Sequence, residues 1–160
     1  MFEKMLEIFE KDPRLAEHKL KVKLKKTEKF RIDVKAGRHK FVLDEDKVIG
    51  GKNEGPSPAE LFLSSIGGCL LSTLQVWSEI LKIKVNSAEI HISGIIDIRG
   101  LLDMEGKIPA QFQKITIEVK INSSESNERI QELIQKTEMH CPVYNSLINK
   151  IETQTIIKQI

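Results

Sequence analysis

The chain has 160 residues, with 25 basic side chains against 23 acidic ones and a formal net charge of +2. That length favours one domain, and the two signs are interleaved, so no single-sign field points to nucleic acid or a membrane surface. No unbroken apolar run approaches the ~18 residues of a membrane span, so none is expected.

The opening "MFEKMLEIFEKD" puts Met1, Met5, Leu6 and Phe9 on one face of a short helix, with acids and lysines opposite. It is too charged for a secretory leader, so a cytoplasmic location, where thiols stay reduced, is expected. Pro13 marks a break in "KDPRLAEHK". Strand patterns follow: "LKVKL", then "KFRIDV" with Phe30, Ile32 and Val34 on one face, a turn at "AGR", and "HKFVLDED". The basic stretch from Lys19 to Lys29 alternates apolar with charged residues, so it reads as a strand with one solvated face. It lacks the aromatic interleaving of a single-strand nucleic-acid binder.

"KVIGGKNEGPSP" is the clearest loop. It has neither the G-x-G-x-x-G spacing nor the Lys-Ser/Thr of a phosphate cradle. Ser57 then stands at an N-cap position, Pro58 at the first helical position and Glu60 where a capping box needs it. The helix this predicts runs to about Leu81. Phe62, Ile66, Cys69, Leu70, Thr73, Trp77 and Ile80 follow helical spacing, and Leu63, Leu74 and Leu81 form an adjoining stripe. A helix apolar on most of its circumference is a central one, covered on several sides.

Beyond it, "KVNSAEIHISGIIDI" alternates as a strand, "RGLLDMEGKIPA" is a loop or hairpin tip, and "FQKITIEVKI" alternates again. Asn122 to Ser126 cap the helix "NERIQELIQKTEM", "HCPVYNSLINK" holds a kink with Pro142 just inside a further helix, and "IETQTIIKQI" has the pattern of a last strand. Strands come in groups rather than alternating with helices, which predicts an α+β fold with antiparallel sheet. One sheet covers one face of the long helix, so a homodimer whose long helices share a core is expected.

The two cysteines are Cys69, inside the long helix, and Cys141, before Pro142 at a helix N-terminus, where N–H groups and the dipole favour thiolate. Both residues also suit a buried core as small hydrophobes. Gly67 and Gly68, directly before Cys69, each cost a helix about 1 kcal/mol relative to alanine. They admit a close neighbour, either a substrate beside Cys69 or a closely packed helix. His39, His91 and His140 have no metal-ligand spacing with either cysteine, and "GCLLS" is not the G-x-S-x-G of a serine hydrolase.

A Gly-rich loop, "GPSPAELFLSSIGGC" and a distant "CPVYNSL", in that order, resemble the OsmC/Ohr family of osmotically inducible proteins and organic hydroperoxide resistance proteins. The resemblance runs from about Lys19 onward, leaving 1–18 as a helical extension to a domain over 19–160. It implies antiparallel sheets wrapped around long Cys-bearing helices in an intertwined homodimer. It also implies reduction of organic hydroperoxides, with Cys69 as peroxidatic and Cys141 as resolving thiol, and a dithiol reductant in place of a bound cofactor or metal.

By the same resemblance an arginine from the early strands holds the thiolate, with Arg38 the best match and Arg31 the spare. Hydroperoxide-type members carry a glutamate directly after the loop proline; here Ala59 follows Pro58, leaving Glu60 or Glu54 to supply the carboxylate. Phe62, with Leu70 and Trp77, suits an alkyl or aryl peroxide, and Gly68 gives it access. The alternative within the fold is a non-enzymatic protein that binds a small apolar ligand or senses redox state. Neither reading calls for nucleic acid or a membrane.

Overall fold

The computed structural model describes every residue except Met1, Glu105, Lys107 and Ile160. Met1 of the expected helix face, Glu105 and Lys107 of the expected hairpin tip, and Ile160 of the expected last strand therefore lie outside the described residues. The chain divides into two compact units, Met1–Ser64 and Ser65–Ile160, and the division falls inside one long helix.

The first unit opens with helix α1, Phe2–Lys11, whose Met5, Leu6 and Ile8 are exposed. Asp12 caps a short 3-10 turn over Pro13–Ala16 by accepting the Arg14 N–H at 3.2 Å. Strands β1 (Val22–Lys26), β2 (Ile32–Ala36) and β3 (His39–Leu43) form an antiparallel meander. Period-two alternation sorts its faces. Leu24, Val34 and Phe41 lie opposite one another on one face, and Lys23, Lys35 and Lys40 do so on the other.

The Gly-rich loop closes on a carboxylate. Asp44 is buried and accepts backbone N–H groups from Glu45 and Lys52, both at 2.9 Å, and from Glu54 at 3.3 Å. Burial opposes its charge, but the three donors together hold its pKa below the usual aspartate range. A Cβ on Gly51 would sit 1.9 Å from the Glu45 carbonyl oxygen, so only glycine lets the loop fold back this tightly. The loop is a cradle of N–H groups, and the chain's own Asp44 fills it.

Helix α2, Pro58–Leu81, starts as its sequence predicts. The Ser57 N–H donates to Glu60 at 2.7 Å, and the Glu60 N–H donates to the Ser57 hydroxyl at 3.2 Å, which is a reciprocal capping box. By length and a hydropathy of 1.3, α2 is long and apolar enough to cross a membrane, a property that also belongs to core helices of soluble proteins. Its buried residues, Ile66, Gly67, Leu70, Leu74 and Ser78, make one stripe, while Phe62 and Ile80 are each 40% exposed. Among the described residues, burial on α2 is confined to that stripe.

In the second unit, β4 (Val85–Ile96) and β5 (Phe112–Ser123) form a long antiparallel pair, joined through the short helix α3 (Ile98–Leu101). A Cβ on Gly67 would lie 3.2 Å from the Ile92 Cδ1 and 3.6 Å from the Ile90 Cγ2. Gly67 is therefore a point of close approach between α2 and β4. Gly68, one residue on, faces open space. Helix α4, Asn127–His140, is capped by Ser126 and followed by α5, Pro142–Ile148, with Pro142 in its first turn. Leu74, Ile83 and Leu133 form the core of this unit, with Trp77, Ile121 and Ile130 packed against it. Burying three such side chains stabilises the unit by about 1.5–3 kcal/mol each.

The expected last strand is corrected by the structure: residues 151–159 have no regular secondary structure, and Ile151, Ile156 and Ile157 are exposed. An alternating pattern makes a strand only where a sheet edge takes up its N–H and C=O groups, and among the described residues none does so here. Both units combine helices with antiparallel sheet, as the α+β reading expects.

Candidate functional site

Cys69 and Cys141 meet inside the second unit. Cys69 lies on α2 and is partly exposed, whereas Cys141 is fully buried at the junction of α4 and α5; both are free thiols. The two thiols are near enough to affect each other's protonation, and Thr73, one turn after Cys69 on α2, acts on Cys141 as well. Residues 72 positions apart in sequence are thus brought together by the docking of the α4–α5 corner on α2.

The N-terminus of α5 does not make Cys141 acidic. Burial dominates and raises its pKa, and a thiolate on Cys69 would raise it further. The Tyr144 N–H and the Thr73 hydroxyl pull the other way and are outweighed. The thiolate stabilisation expected from its position is therefore outweighed: desolvation wins.

Four further side chains complete the corner. Trp77 stacks on His140, with ring centroids 4.6 Å apart and planes at 27°, and the Lys136 amine lies 5.3 Å from the Trp77 ring centroid. Asn145 donates its side-chain amide to the carbonyls of Glu138 (2.9 Å), Met139 (3.1 Å) and Cys141 (2.9 Å). The first two are end carbonyls of α4, which no glycine cap satisfies. The signal was present in the spacing: Thr73 follows Cys69, and Asn145 follows Cys141, by four residues, one helical turn.

The remaining expected site residues belong to the first unit or to the exposed side of α2. Arg38 lies in the two-residue turn between β2 and β3, is exposed, and has no ion pair among the described residues. Arg31 is instead the arginine paired with carboxylates: it bonds Glu54 directly and Asp33 at 3.2 Å. The Glu54 hydrogen bond raises its pKa further above the usual range. Glu60 is engaged in the capping box, where the Ser57 N–H and then its hydroxyl hold the Glu60 pKa down. Phe62 is 40% exposed on the first turns of α2, and Gly68 is exposed beside Cys69. Among the described residues, no group of three or more His, Cys, Asp or Glu is placed to hold a metal ion.

A search of curated proteins finds no match. Solved structures do match in fold. An OsmC-like protein from Mycoplasma pneumoniae is 20% identical with a TM-score of 0.72, over 82% of this chain and 89% of that one. An organic hydroperoxide resistance protein from Elizabethkingia anophelis is 23% identical with a TM-score of 0.62, over 85% and 92% of the two chains. An organic hydroperoxide resistance protein OsmC from Legionella pneumophila is 16% identical with a TM-score of 0.61, over 81% and 89%. The family model for OsmC-like proteins matches residues 51–156, more than half of the chain and a span that contains both cysteines. The chain therefore belongs to the OsmC-like family.

Proposed function

We propose that this chain is a thiol-dependent peroxidase that reduces organic hydroperoxides in the cytoplasm, as an intertwined homodimer. The Cys69 thiolate attacks the outer peroxide oxygen and the O–O bond breaks. The alcohol leaves with a proton, and Cys69 becomes a sulfenic acid. The Cys141 sulfur then attacks the Cys69 sulfur, hydroxide leaves as water, and a disulfide forms. A dithiol donor reduces that disulfide by exchange and is itself oxidised to a disulfide.

Support comes chiefly from one observation: a partly exposed Cys69 and a fully buried Cys141 are neighbours near enough for each to affect the other's protonation. A peroxide meets the exposed sulfur, and the buried one is held in reserve for the second step. The half-exposed apolar surface of α2 supports a homodimer, since a second copy would cover it. Thiolate stabilisation we assign to an arginine of the early strands, Arg38 or Arg31, and of the two Arg31 has the carboxylate partner, Glu54.

Treating the reduced protein with one equivalent of cumene hydroperoxide, then counting thiols and mapping peptides, tests this directly. The expected result is loss of both thiols and a Cys69–Cys141 cross-link within one chain. Thiols that survive, or a Cys69 sulfinate without cross-link, would contradict the two-cysteine cycle.

A further inference from the structure

The lysine face of the β1–β2–β3 sheet is not used by the chemistry above. The register sets Lys23 opposite Lys35, and Lys35 opposite Lys40, so three ammonium-bearing side chains run straight across three strands. Lys25 stands beside them, opposite Asp33. Like charges directly opposite in a sheet are destabilising. None of these four lysines has an ion-pair partner among the described residues, and Asp33, the one acid on the face, is bonded to Arg31. An open groove of about 620 Å³ is lined by the four lysines, Asp33 and Val42 together with Val34 and Phe41.

From this geometry we infer a binding site for a small oligophosphate, a chain of two or three linked phosphates. Strands stand about 4.8 Å apart and alternate residues about 6.8 Å apart, so the ammonium groups cover a patch of roughly 10 by 7 Å. That suits a short polyanion, whereas a stable protein interface needs about 800 Å² on each partner, with an apolar centre. By strand alternation this face presents Val42 while Phe41 belongs to the opposite face, so the lysine side offers bases no ring to stack on and a bilayer little to insert. Lysine ammoniums bind phosphate oxygens as point charges without a fixed fork geometry. Bound phosphate oxygens would neutralise the repulsion that the bare ladder carries.

Calorimetric titration of the full chain with inorganic tripolyphosphate tests the site. One site per chain is expected. Lys35→Gln, at the centre of the ladder, should weaken binding by about tenfold or more, and Lys21→Gln, off the strands, should change it less than about twofold. Without ligand, Lys35→Gln should melt no lower than the parent chain, which separates lost binding from lost folding. Absence of binding by the parent chain would overturn the inference, as would equal affinity in Lys35→Gln. Binding to duplex DNA or to anionic lipid vesicles, with none to tripolyphosphate, would overturn it too.

Discussion

The side-chain amide of Asn145 donates to the main-chain carbonyl of Cys141 at 2.9 Å, and the same nitrogen serves the carbonyls of Glu138 and Met139. One residue of α5 thus closes the end of α4 and fixes the corner that carries the buried thiol. Asn145→Ala should destabilise the protein by about 1–2 kcal/mol, since these carbonyls lose their donor in a partly buried site. In the proposed cycle it should slow disulfide formation more than sulfenate formation. Urea unfolding and a quench-flow assay of each step would check this; an unchanged unfolding midpoint would show that the corner is held by other contacts.

The two glycines before Cys69 behave differently. A Cβ at Gly68 meets nothing within 4 Å, whereas one at Gly67 meets Ile92 at 3.2 Å. Gly68→Ala should therefore stabilise the chain by up to about 1 kcal/mol through helix propensity. Gly67→Ala should gain less, because α2 must lift or Ile92 must turn. Paired denaturation curves would compare them. A destabilised Gly68→Ala would mean that a second copy packs against that face.

Burial sets a pH dependence at Cys141. Its folded pKa is raised, so the folded state keeps the proton where the unfolded chain has begun to release it. The neutral thiol's contribution to stability is complete below the unfolded cysteine pKa of about 8.5, and it falls as pH rises from there through the folded value. In Cys69→Ser, alkylation of Cys141 by iodoacetamide should rise with pH at a higher midpoint than a free thiol shows. A midpoint below that of a free thiol would mean that the α5 N-terminus and Thr73 outweigh burial.

Arg31 and Arg38 separate cleanly by substitution. Arg31 bonds Glu54 and Asp33 from a site that is 30% exposed, and Arg38 occupies an exposed turn. Loss of the Arg31 ion pairs should change stability by no more than about 1 kcal/mol, and Arg38→Ala, which breaks none among the described residues, should change it no more than that. Peroxide consumption should fall by about 10-fold or more in Arg31→Ala, an electrostatic loss of at least ~1.4 kcal/mol in the barrier. It should stay near the parent rate in Arg38→Ala. The reverse order of rates would return the role to Arg38.

Local chemistry made much of the fold legible. The Ser57–Glu60 capping box, Ser126 as the cap of α4 and Pro142 at the start of α5 depend on residues within four positions of one another, so their spacing is their structure. The cysteine pair came from two motifs in order, not from periodicity. Long-range choices were hidden. Arg31 finds Glu54 across 23 positions only because the glycine loop folds back on Asp44, and nothing in either residue's neighbours encodes that return. The loop lacks the spacing of a phosphate cradle, and nothing in its pattern showed that its N–H groups would close on the chain's own Asp44. The tail failed as a strand for a related reason: alternation specifies a face, but pairing needs an edge.

The most direct test is stopped-flow consumption of cumene hydroperoxide by the reduced protein, run beside Cys69→Ser and Cys141→Ser. Fast consumption of one equivalent is expected from the parent chain and none above free thiol from Cys69→Ser, while Cys141→Ser should consume one equivalent and stop at the sulfenic acid. A parent chain no faster than free cysteine would contradict the peroxidase, and would leave the cysteine pair to ligand binding or redox sensing on the same fold.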